Sequence, residues 1–100
     1  MSGRSVEPST RCVRLRITGR VQGVGYRAWA WQTAEALGLR GWVRNRTDGS
    51  VETLVIGGGE AVAAMIAACR QGPLAARVAN VAVSEDDDDG STGFTALPTV

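Results

Sequence analysis

Arg27 closes the stretch Gly19-Arg20-Val21-Gln22-Gly23-Val24-Gly25-Tyr26-Arg27, in which Gly23 and Gly25 sit one residue apart. Lacking a Cβ, these glycines let the backbone curl tightly and approach a ligand closely. A curl of backbone N–H groups ending at a helix N-terminus cradles an anion, and the helix dipole adds to the attraction. A guanidinium placed directly after the curl can fork onto an oxyanion with two parallel hydrogen bonds. The chemistry indicated is the binding of a phosphate-like anion. Taken alone, the stretch also reads as a plain strand-to-helix connection. It is not a Walker A loop, because the chain contains no lysine. Nor does it carry the G-x-G-x-x-G dinucleotide fingerprint.

A second segment weighs in favour of a site: Gly41-Trp42-Val43-Arg44-Asn45-Arg46-Thr47-Asp48-Gly49-Ser50-Val51-Glu52. The two segments together closely resemble the paired signatures of the acylphosphatase family, GxVQGVGFR and GWVRNxxDGxVE, with Tyr26 standing where Phe is commoner. The resemblance runs roughly from Val13 to Phe94. It implies a ferredoxin-like fold and the hydrolysis of small acyl phosphates to a carboxylate and inorganic phosphate. Carried over by position, it makes Arg27 the guanidinium that holds the phosphoryl group and Asn45 the amide that orients the attacking water. The phosphate cradle becomes the backbone of Gln22, Gly23, Val24, Gly25, Tyr26 and Arg27.

The residue inventory is consistent with such a reaction. The chain has no histidine, which removes Ser-His-Asp and Cys-His schemes and most zinc sites. Cys12 and Cys69 read as small buried hydrophobes. Asp86 to Asp89 reads as a solvated, self-repelling loop rather than a metal cluster, with Gly90 marking a turn. No metal and no cofactor are expected. A carboxyl–phosphate anhydride releases a stable carboxylate, so the catalyst has mainly to bind phosphoryl oxygens, neutralise developing charge and place a water in line. A non-catalytic phosphate- or nucleotide-binding regulatory module on the same fold is the alternative. Two plainer readings stay open: Arg27 as a surface residue, although a cation in a helix's first turn opposes the dipole, and Asn45 as early turn chemistry.

The elements that must position these residues follow from periodicity. Val13, Leu15 and Ile17 alternate with Arg14 and Arg16, predicting a half-buried strand over Cys12 to Thr18. A 3.6-residue period predicts a helix from Tyr26 to Leu37, ended by Gly38. Arg40 to Arg46 and Val51 to Ile56 read as an antiparallel hairpin around Asp48-Gly49, with Gly41, Val43 and Asn45 on one face and Arg44 and Arg46 solvated on the other. A second helix is expected over Glu60 to Gln71, a strand over Arg77 to Val83, an acidic loop over Glu85 to Thr92 and a short closing strand over Gly93 to Leu97. This order is the α+β split βαβ sandwich, an antiparallel sheet with two helices on one face. Trp29 should fill the helix–sheet core and Trp42 should pack structurally. Trp31 lies off the buried stripe, where it either shields the helix backbone or borders the site mouth against an acyl group.

The totals bound the rest. One hundred residues make a single domain over 11–100, preceded by a polar, disordered tail over 1–10. No apolar run approaches a membrane span and the N-terminus lacks a signal sequence, so a cytoplasmic protein without a membrane partner is expected. All eleven basic residues are arginines, concentrated before Gly57, whereas acids prevail after it. A basic front half suits a small anionic substrate, the acyl phosphate. Nucleic-acid binding usually needs more net positive charge than the formal +1 here, and no RRM aromatic signature is present. The protein is expected to be a monomer.

Overall fold

In the computed structural model, which describes residues 10–100, the chain runs β1 (Thr10–Arg20), α1 (Tyr26–Ala36), β2 (Arg40–Asn45), β3 (Val51–Gly58), α2 (Gly59–Gln71), β4 (Arg77–Glu85) and β5 (Phe94–Ala96). Residues 1–9 of the expected tail lie outside the described residues, and Thr10 opens β1. The five strands form one sheet in the order β4-β1-β3-β2-β5, with the first four antiparallel neighbours. This is the ferredoxin-like sandwich.

The alternation in the sequence sorts the two faces. Val13, Leu15 and Ile17 of β1 stand beside Val55, Thr53 and Val51 of β3, all buried. With Val43 they form the floor on which α1 lays Tyr26, Ala30 and Ala34 and α2 lays Val62, Met65 and Cys69. Trp29 packs at the margin of this core and meets the Tyr26 ring edge-on, centroids 5.2 Å apart. Burial pushes the Cys69 thiol up to about 11, so it remains an inert neutral group.

The opposite face carries a smaller cluster of Cys12, Leu54 and Ile56 beside Trp42. Arg14 and Arg44 lie over the Trp42 ring, 5.4 and 4.5 Å from its centroid. The expectation that Arg44 and Arg46 are simply solvated needs correction. Both donate to Glu52 Oε1 at 2.9 Å while Arg14 donates to Glu52 Oε2 at 2.9 Å. Burial alone would raise the Glu52 carboxyl's pKa; hydrogen bonds from Arg44, Arg14 and Arg46 outweigh it and hold the group below the usual range.

The acidic segment also differs from a free, self-repelling loop. After β4 it crosses this outer face and is fastened to it: Asp86 accepts from Arg14 at 2.7 Å, Asp88 from Arg40 at 2.6 Å and Asp89 from the Trp42 indole at 3.2 Å. Opposite charge on the sheet offsets the repulsion within the run. The crossing delivers the chain to the far edge, where β5 adds in parallel to β2 through Phe94, Thr95 and Ala96. The expected all-antiparallel sheet is therefore a mixed one. Cys12 lies under this segment, and burial, reinforced by Asp86, raises its thiol pKa.

Candidate active site

β1 and β3 keep register to Ile17↔Val51, and the loop after β1 emerges beside the β2–β3 turn. The strand bends there. A register shift between Thr18 and Gly19 brings Gly19 against β4 so closely that a Cβ would lie 2.3 Å from the Arg77 carbonyl. Gly25, at φ 78°, is the N-cap of α1 in left-handed geometry and brings no side-chain cap to it, and no acidic residue occupies the first turn. The initial N–H groups of the helix are therefore not taken up by a capping side chain, as an anion site requires.

These residues enclose a cavity of about 310 Å³ lined by Val21, Gln22, Gly23, Gly25, Tyr26, Arg27, Ala28 and Asn45. The two sequence motifs thus meet in one place. Of the expected cradle, Val24 does not line the cavity; its side chain packs against the core and anchors the loop. Tyr26 lines the cavity although it is almost wholly buried. Its ring is buried, and its hydroxyl donates to the Cys69 carbonyl at 2.7 Å, tying the start of α1 to the end of α2. Burial raises the Tyr26 pKa far above the ordinary phenol value, so the hydroxyl stays a neutral donor.

Arg27 is half-buried, and its Nη1 donates to the Leu97 carbonyl at 3.2 Å, which steadies the side chain from the C-terminal side of β5. Asn45 ends β2 on the face shared with Val43 and Gly41. Its Oδ1 is buried, and no described residue donates to it. Asn45 lines the cavity, and a buried carbonyl oxygen left without a donor is an acceptor that the described residues do not satisfy. Gln22 donates its carboxamide N–H groups to the carbonyls of Arg46 at 2.7 Å and Ser50 at 2.8 Å. Arg16 donates to Ser50 Oγ at 3.3 Å and pairs with Asp48. Hydrogen bonds from the Ser50 hydroxyl and N–H, and then from Arg16, hold the Asp48 carboxyl far below its usual range and stiffen the turn.

Trp31 does not line the cavity. Its indole N–H donates to the Phe94 carbonyl at 2.9 Å, which secures β5 to α1. Sequence reasoning did not reach this contact, the Gln22 side-chain bonds or the Leu97–Arg27 bond. Each joins residues with no periodic relation, and no local signal announces them. Among the described residues, no group of three or more His, Cys, Asp or Glu is placed to hold a metal ion. The cavity wall itself has only amides, a guanidinium and apolar groups.

A family model described as Acylphosphatase matches residues 13–96. The chain is 58% identical over 81 residues to an acylphosphatase of Rhodopseudomonas palustris (strain BisB5), covering 81% of this chain and 82% of that one. It is 46% identical over the full length of both chains to an acylphosphatase of Rhizorhabdus wittichii. Among solved structures, the crystal structure of acylphosphatase from Bacillus subtilis superposes with a TM-score of 0.84 at 33% identity, over 89% of this chain and 99% of that one.

Proposed function

The chain belongs to the acylphosphatase family and hydrolyses the carboxyl–phosphate bond of acyl phosphates, and from that premise we propose that Arg27 and Asn45 divide the work in the cavity between β1, α1 and β2. The observation that carries the reading is that Asn45, Arg27 and the start of a helix without a side-chain cap line one cavity.

The backbone N–H groups of Gln22, Gly23, Gly25, Tyr26 and Arg27 hold the phosphoryl oxygens, and the Arg27 guanidinium adds a charged fork. With one nitrogen steadied on the Leu97 carbonyl, its remaining N–H groups are free to meet the substrate. The Asn45 carboxamide hydrogen-bonds a water and leaves the water's lone pair aimed at phosphorus, in line with the acyl oxygen. As the water's P–O bond forms, the P–O bond to the carboxyl breaks and its electron pair leaves as a carboxylate. That leaving group is stable without protonation, and the water's protons remain on the phosphate or pass to solvent. Charge spread over the equatorial oxygens is met by the same amides and guanidinium, where most of the acceleration arises. No metal, cofactor or covalent nucleophile enters this scheme. A binding module without turnover has no use for a water-orienting amide, so Asn45 favours hydrolysis over that alternative.

The reading includes a monomer acting in the cytoplasm on a small diffusible substrate. Pairing of the outer-face arginines Arg14, Arg40, Arg44 and Arg46 with carboxylates supports the absence of nucleic acid from it, since little unbalanced positive charge remains there. No helix among the described residues is long and apolar enough to cross a membrane.

Two substitutions test the division of roles. Arg27→Ala should lose about 10²-fold or more in kcat/KM, with Arg27→Lys a poor rescue because an ammonium cannot fork. Asn45→Ala should lower kcat strongly while inorganic phosphate inhibits at a similar concentration. Near-wild-type turnover by Arg27→Ala, or an Asn45→Ala enzyme that loses phosphate affinity and keeps kcat, would overturn the assignment.

A further inference from the structure

We propose that Gln22 is a positioning residue that sets the distance between the anion cradle and the Asn45 amide, acting through the neck of the β2–β3 hairpin. The proposal rests on the water-orienting role given to Asn45 above.

The Gln22 carboxamide nitrogen donates to the carbonyls of Arg46 at 2.7 Å and of Ser50 at 2.8 Å. Both partners are pure acceptors, so only the nitrogen end of the side chain can face them and the orientation is chemically determined. Arg46 follows Asn45 in the chain, and Ser50 precedes Val51, the residue that pairs with Asn45 across the hairpin. The Arg46 N–H also donates to the Ser50 carbonyl at 2.9 Å. Gln22 therefore grips both strands one peptide beyond Asn45. From the β5 side, the Asn45 carbonyl accepts from the Val100 N–H at 3.1 Å, which leaves its backbone held on two sides.

The hairpin needs such a hold, whereas the curl has its own: Val24 packs against the core and the Tyr26 hydroxyl ties the start of α1 to α2. A water aimed by Asn45 is productive only while the hairpin stays at the correct distance from the phosphoryl group, and a misplacement of about 1 Å can cost about 10²-fold in rate. One carboxamide bridges the two halves of the site at that point. A function confined to Asn45 follows, since the cradle's own N–H groups and Arg27 lie on the Gln22 side of the bridge.

The test is a double-mutant cycle with Gln22→Met, which keeps the side chain's length and removes both donors. Gln22→Met should lower kcat about 10-fold and leave inhibition by inorganic phosphate within about twofold of wild type. In an Asn45→Ala background the same change should have almost no further effect on kcat, because the group it positions is gone. Phosphate titration by calorimetry on each variant reports an intact cradle independently of turnover. A Gln22→Met protein that is unfolded or no longer binds phosphate would assign Gln22 to the fold or cradle and overturn the proposal. So would a loss that multiplies undiminished onto that of Asn45→Ala. If Asn45→Ala alone retains full kcat, the water-orienting role fails first, and the positioning role with it.

Discussion

Glu52→Gln removes one negative charge from beneath three guanidiniums and leaves the shape almost unchanged. Glu52 is 7% exposed in its side chain and accepts from Arg14, Arg44 and Arg46 at 2.9 Å each. Glutamine offers one acceptor oxygen. If that oxygen keeps Arg44 and Arg46, two charge-assisted bonds become neutral at about 1 kcal/mol each, and the amide nitrogen faces the Arg14 donors, losing the third bond at about 2 kcal/mol. The three arginines keep 39%, 23% and 32% of their side-chain surface in water, which screens the interaction and lets them rehydrate. Glutamine also avoids the cost of burying a carboxylate. Discounting the three losses by about half on these grounds leaves a loss of about 2 kcal/mol, or about 8–16 °C in Tm for a domain of this size. Because the folded carboxyl titrates below its unfolded value, its stabilisation is whole above about pH 4.3 and fades as the pH falls through the folded value. Urea denaturation at a series of pH values should show wild type and Glu52→Gln separated at pH 7 and converging as the pH falls through the lowered folded value of the carboxyl. Equal stability at pH 7 would refute the bridging role. A gap of the same size at both extremes would show that shape, not charge, is what glutamine disturbs.

Two further outcomes are expected. Activity should survive excess EDTA, because the cavity wall offers a guanidinium and amides but no carboxylate, imidazole or thiolate; loss of activity restored by added Mg²⁺ or Zn²⁺ would contradict this. Trp31→Phe should destabilise the protein by about 1 kcal/mol through the lost bond to Phe94 and leave KM alike for acetyl and aromatic acyl phosphates; a selective rise in KM for the aromatic substrate would return Trp31 to the site mouth.

The second of these follows from a difference between what is local and what is not. The glycine curl with Arg27 reads as an anion site from its own residues, and strand alternation puts Asn45 on the same face as Val43, but only the resemblance to the family singled Asn45 out. Periods of 2 and 3.6 likewise located the strands and helices, because burying one face dictates the spacing of apolar residues whatever the partner. Element ends moved by a few residues, as in β1, which extends from Thr10 to Arg20 by ladder pairing with β3 and β4 rather than by any change in its pattern. Tertiary structure alone decided which polar groups meet. Glu52 with Arg14, Asp88 with Arg40, Gln22 with Ser50 and Trp31 with Phe94 are joined over separations of 38, 48, 28 and 63 residues. A side-chain donor and its acceptor carry no sequence period, and any arginine could satisfy any carboxylate until the backbone brings one pair within reach. The parallel pairing of β5 has the same origin: the acidic segment is drawn across a basic sheet face that exists only once β1, β2 and β3 lie side by side.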